Sequence, residues 1–77
     1  MSRWKPCKRR DFIRRLRSMG FQGPWSGARH QFLVYRGHRM AVPSNEEFSV
    51  PQVRMLVGEV EAIIERNISA DEWDSLL

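Results

Sequence analysis

Apolar residues recur along the chain in two rhythms, and these divide it into elements. Over residues 8–19, Phe12, Ile13, Leu16 and Met19 fall at i, i+1, i+4 and i+7, which predicts a helix with one apolar stripe. Arginines fill the rest of its circumference. Pro6 precedes it, and Gly20 follows as the expected stop. Phe21 to Trp25 reads as a short strand or an irregular entry to one, and Ser26-Gly27-Ala28 as a turn. His30 to Tyr35 is a run of aromatic and β-branched residues that predicts a central strand beginning at His30. Arg36-Gly37 then makes a tight turn, and His38 to Val42 returns as a strand closed by Pro43. By parity His30 shares a face with Phe32 and Val34, but both faces are apolar, so the pattern leaves open which one meets the core.

Pro43 to Phe48 reads as a loop. Ser49 and Gln52 form a capping box, and Pro51 sits in the first turn, where its missing N–H costs nothing. Val53, Leu56, Val57, Val60, Ile63 and Ile64 then continue one helical stripe to about Asn67. Gly58 inside it suggests close packing. A second capping box, Ser69 to Glu72, starts a short last helix with Trp73, Leu76 and Leu77 on its apolar side. The order is α-β-β-β-α plus a short terminal helix. This predicts an α+β fold: a three-stranded antiparallel sheet with both long helices on one face. Residues 1–77 form one domain, with 1–7 expected as a flexible N-terminal extension.

At 77 residues the chain holds one modest core and no room for separate cofactor and substrate domains. One cysteine, Cys7, makes neither an internal disulfide nor a thiolate cage, which suits a reducing cytoplasmic setting. No apolar run approaches the roughly 20 residues of a membrane span, and the basic N-terminus lacks the apolar stretch of a signal peptide. The charge is strongly divided. Residues 1–42 carry eleven Lys and Arg against Asp11 alone, net +10, whereas residues 43–77 carry two arginines against eight acids, net −6. Such a split suggests a polyanion on one side. The plainer explanation is a solvated arginine face on the first helix, but Arg29, Arg36 and Arg39 lie outside that helix.

His30 and His38 are the only side chains with an ordinary pKa near neutrality. A histidine at a strand end beside arginine suits phosphodiester chemistry. The imidazole takes a proton from a ribose 2′-OH or gives one to the leaving oxygen. Arginines hold the phosphate and offset its charge. His30, next to Arg29, is the candidate; His38 reads as an ordinary strand residue. Two histidines and a distant cysteine make no metal-ligand set, and no phosphate-cradling glycine loop is present, so no cofactor is expected. Trp4, Trp25 and Trp73 fit core or partner packing better than base stacking, and Met19, Met40 and Met55 fit the core.

Taken in order, these features resemble the HicA toxins, the ribonuclease half of HicA–HicB toxin–antitoxin pairs. The shared pattern runs from a helix ending in Gly20-Phe21, through Ser26-Gly27-Ala28-Arg29-His30 and a hairpin closing on Val42-Pro43. It continues with a helix starting near Pro51 and the tail Ile68-Ser69-Ala70-Asp71-Glu72-Trp73. The resemblance spans Lys8 to Leu77 and rests on the ordered set. It implies a double-stranded-RNA-binding-like α-β-β-β-α fold and metal-independent mRNA cleavage by a histidine. It also implies a HicB-like antitoxin that covers the site. His30 is the position carried over. Many members have Gly-Ser-His, and counting from Gly27 that histidine falls on Arg29 here. Glu46 and Glu47 follow Pro43 where members are often basic.

The leading expectation is an endoribonuclease with His30 catalytic and Arg29, Arg36 and Arg39 binding RNA phosphates, with no metal and no membrane partner. The alternatives are a non-catalytic RNA-binding module of the same fold and a protein-interaction domain with an acidic partner.

Overall fold

A computed structural model describes residues 1–76; Leu77, assigned above to the last apolar stripe, lies outside the described residues. The elements are β1 (Cys7–Lys8), α1 (Arg9–Ser18), β2 (Gln22–Ser26), β3 (Gln31–Tyr35), β4 (His38–Ala41), β5 (Glu47–Phe48), α2 (Val50–Ile64) and α3 (Ala70–Ser75). The molecule is a small α+β domain with an antiparallel sheet in the order β2-β3-β4. No helix among the described residues is long and apolar enough to cross a membrane.

The core lies between the helices and one sheet face. Phe12 and Leu16 of α1 and Val53, Leu56 and Val60 of α2 are buried with Leu33 of β3 and Met40 of β4. Leu33 and Met40 are cross-strand partners, which settles the parity left open by the sequence. Phe32 and Val34 point to the other face, where they stay partly exposed. The predicted β2 start moves by one residue, because Phe21 turns into the core instead of pairing. Gln22 pairs with Val34 and Trp25 with Phe32, so β2 carries one extra residue at Gly23-Pro24. This bulge puts Gln22 and Trp25, three apart in sequence, opposite residues of one parity and hence on one face.

Several expectations are corrected. Residues 43–48 are not a plain loop: Glu47 and Phe48 pair with Lys8 and Cys7 in a second, two-stranded sheet. Residues 1–7, expected as an extension, lie along the domain. Trp4 packs on the core, Cys7 is buried, the Ser2 N–H donates to Asp71, and Lys5 lies 3.8 Å from Asp74. The α2 helix stops at Ile64, short of Asn67, because Glu65 enters the left-handed region (φ 60°) and its N–H returns to the Glu61 carbonyl. Gly58 marks no close packing, since nothing lies within 4 Å of where its Cβ would stand. Met55 is exposed, not core. Both capping boxes are half formed. Ser49 and Ser69 accept from the N–H of Gln52 and Glu72, but the Gln52 side chain bonds Asn45 and that of Glu72 bonds Arg66.

The Arg36-Gly37 turn does form. Both residues have positive φ, 48° and 85°, as a two-residue hairpin requires to match strand twist.

Candidate nucleic-acid interface

His30 does not begin the central strand. It sits in the turn between β2 and β3, with β3 starting at Gln31. Its carbonyl accepts the Gly27 N–H at 3.1 Å, which closes a two-residue turn over Ala28 and Arg29. A Cβ on Gly27 would stand 2.6 Å from that carbonyl and 3.3 Å from Phe32 Cδ1, so only glycine fits there without displacement. Arg29 and His30 are both exposed at the tip of this turn.

The three predicted phosphate-binding arginines are not gathered at one point. Arg29 shares the turn with His30. Arg39 lies on the outer sheet face, its guanidinium carbon 3.8 Å from the Phe32 ring centroid. Arg36 stands at the opposite end of the sheet, over Tyr35 at 5.4 Å. The five residues of β3 separate the two turns by about 16 Å. Arg29 and Arg36 therefore cannot grip the same phosphate. His38 pairs with Tyr35 at that far end, away from His30.

The structure adds arginines that the sequence reading left on a solvated helix face. Arg10, Arg14 and Arg17 line a groove between α1 and the edge strand β2, together with Ile13, Ser18, Phe21, Gln22 and Gly23. Their i, i+4, i+7 spacing was the available signal. The groove has a defined direction. Arg9 donates through Nη2 to Gln31 Oε1 at 2.7 Å and through Nε to the Pro43 carbonyl at 2.8 Å. Those bonds fix the start of α1 beside the start of β3. The Arg10 end of the groove therefore lies toward the Gly27–His30 turn.

Not every basic residue is free for a ligand. Arg9 is committed to that anchor. Arg15 donates to the Trp73 carbonyl at 3.0 Å and to Cys7 Sγ at 3.4 Å, and it lies over the Trp73 ring. Burial pushes the Cys7 thiol up, with Arg15 opposing that shift, and Cys7 Sγ donates to the Lys8 carbonyl within the packed core. Among the described residues the ion pairs are Lys5–Asp74, Arg14–Asp11 and Arg66–Glu72, which leave Arg10, Arg17, Arg29, Arg36 and Arg39 without a carboxylate. From Phe12 to Asn45 the chain carries six arginines and no Asp or Glu. The groove, the turn and the outer sheet face are all built from this carboxylate-free stretch, apart from Arg10. No group of His, Cys, Asp and Glu among the described residues is arranged to hold a metal ion.

No family model, curated protein or solved structure matches the chain.

Proposed function

We propose that the protein is an RNA-binding endoribonuclease of the toxin type, working at the Gly27–His30 turn without a metal. The observation that carries this reading is the placement of His30. It is exposed beside Arg29 in the turn that follows β2, the strand whose start lines a groove with Arg10, Arg14 and Arg17 of α1. Arg10, Arg14 and Arg17 attract the phosphodiester backbone and align it along β2. Arg29 meets the phosphate next to the histidine and offsets charge on its oxygens.

The His30 imidazole takes the proton from a ribose 2′-OH. The 2′-oxygen attacks phosphorus, the bond from phosphorus to the 5′-oxygen breaks, and that oxygen takes a proton from a solvent water as it leaves. The products are a 2′,3′-cyclic phosphate and a 5′-hydroxyl. In this reading the α-β-β-β-α core is of the double-stranded-RNA-binding-like class implied by the resemblance to HicA toxins. The setting is cytoplasmic, and a HicB-like antitoxin covers the basic face.

The test is cleavage of an unstructured RNA by purified protein in the presence of EDTA. Wild type cleaves, and His30→Ala loses about 100-fold or more in rate while still binding the RNA. Equal cleavage by wild type and His30→Ala would remove the histidine from the mechanism. RNA binding without cleavage by the wild type leaves the second reading, a non-catalytic RNA-binding module.

A further inference from the structure

The outer face of the sheet is uncovered by either helix, and it carries an aromatic row. Trp25 of β2 pairs across the sheet with Phe32 of β3, their ring centroids 6.2 Å apart and tilted by 38°. Trp25 is 46% exposed, which is unusual for the largest apolar side chain when Trp73 is buried and Trp4 packs on the core. Arg39 of β4 reaches diagonally from its position opposite Val34 and sets its guanidinium carbon 3.8 Å from the Phe32 ring centroid. The face thus presents two exposed planar groups, the Trp25 indole on β2 and the Arg39 guanidinium on β4, flanking Phe32 on the central strand.

This row adjoins the histidine turn. Trp25 is followed by Ser26 and Gly27, and the Phe32 ring lies against Gly27, 3.3 Å from its missing Cβ. A group held on the Trp25 ring is therefore next to the phosphate that Arg29 and His30 would meet.

We propose that Trp25, Phe32 and Arg39 form a stacking platform for an unpaired nucleobase flanking the scissile phosphate. This rests on the RNA-cleaving reading and sharpens it, because a base held in a duplex cannot present its face to the indole. Aromatic and guanidinium planes are the two side-chain surfaces on which splayed-out bases stack. Charge selects this occupant over a second copy of the chain. A symmetric contact through the face would bring Arg39 and its neighbours against themselves, with no carboxylate between residues 12 and 45 to relieve the repulsion. A polyanion that also carries flat apolar rings satisfies both the charge and the exposed indole.

The experiment compares three probes at fixed salt: a ten-nucleotide oligoadenylate, the same length of abasic sugar-phosphate, and a ten-base-pair RNA duplex. Wild type binds oligoadenylate most tightly, with quenching of Trp fluorescence. Trp25→Ala weakens oligoadenylate binding by about 5-fold to 100-fold, the range for one lost stack, and leaves abasic binding unchanged. Trp25→Phe, which keeps an aromatic plane, recovers most of the loss and guards against a folding defect. Equal affinity of wild type for oligoadenylate and abasic polymer, or for the duplex, would overturn the platform and leave the RNA-binding reading standing. No binding of any probe at low salt would remove both. RNA affinity unchanged in Trp25→Ala, with self-association of the wild type lost in that variant, would overturn it in favour of a protein contact.

Discussion

The carbonyl oxygen of His30 lies 2.6 Å from where a Cβ on Gly27 would stand, so the turn that presents the histidine closes only around a residue without a side chain. Gly27→Ala must push one of the two strands outward at this point. The neighbour in the way is backbone, which cannot rotate aside. The expected cost is about 1–3 kcal/mol in urea unfolding. RNA cleavage falls further than RNA affinity, because the Arg10–Arg14–Arg17 groove is built elsewhere. Equal losses in cleavage and affinity would mean that the turn does not position the reacting group.

The second turn stores strain of another kind. Arg36 sits at φ 48°, in the left-handed region that Asn tolerates better than Arg. Arg36→Asn is expected to raise unfolding stability by about 0.5–1 kcal/mol, despite the loss of the Arg36 contact over Tyr35. Because Arg36 is a sheet length from His30, cleavage at saturating RNA should stay within about twofold of wild type. A variant that is no more stable than wild type would show that the arginine contact outweighs the backbone strain.

The helices and the hairpin were legible because their signals are local. The stripe from Val53 to Ile64 and the run from His30 to Tyr35 each fix one element through the spacing of neighbours. The β1–β5 pair was not legible, since Cys7 and Phe48 meet across 41 residues and each strand has only two. The bulge at Gly23-Pro24, which decides where Trp25 points, leaves no periodic trace. At the candidate site, type and order single out His30 and Arg29, and the structure sets both in one exposed turn. The arginines of α1 looked like an ordinary solvated face until packing against β2 made three of them line a groove. Conversely, Arg36 belonged with His30 in sequence and is separated from it in space.

Gly58 gives a check on that boundary. In sequence it suggested close packing, yet its Cβ position is open and it lies on the exposed side of α2. Gly58→Ala should therefore stabilise the protein by about 1 kcal/mol, the propensity difference alone. Destabilisation in chemical unfolding would show that something packs there after all.

The Arg66–Glu72 pair predicts a pH dependence. The hydrogen bond from Arg66 holds the Glu72 carboxyl below its ordinary value of 4.5, with its N–O distances at 2.7 and 2.9 Å. A carboxyl lowered on folding stabilises the fold above its unfolded pKa, and that contribution is lost as pH falls through the folded value. Glu72→Gln should be less stable than wild type at pH 7, with the gap closing as pH drops from about 5 toward 3. A gap that stays constant over that range would mean that packing, not charge, sets the effect.

The groove makes a prediction about salt that separates its role from that of the sheet face. Each single-strand phosphate contact that releases a counterion adds about 0.7 to the slope of log affinity against log salt. Arg10 and Arg17 have no carboxylate partner among the described residues, whereas Arg14 is shared loosely with Asp11 at 4.0 Å. Arg10→Gln and Arg17→Gln should each lower the slope by about 0.7, and the double variant by about twice that. Arg14→Gln should lower it less, because Asp11 already offsets part of its charge. Arg9→Gln should instead lower unfolding stability, since it removes the bonds to Gln31 and Pro43 that aim the groove at His30. Slopes measured by fluorescence titration from 50 to 300 mM salt, roughly the range over which such binding weakens steeply, decide the matter. Equal slopes for wild type and both single variants would place the backbone path somewhere other than between α1 and β2.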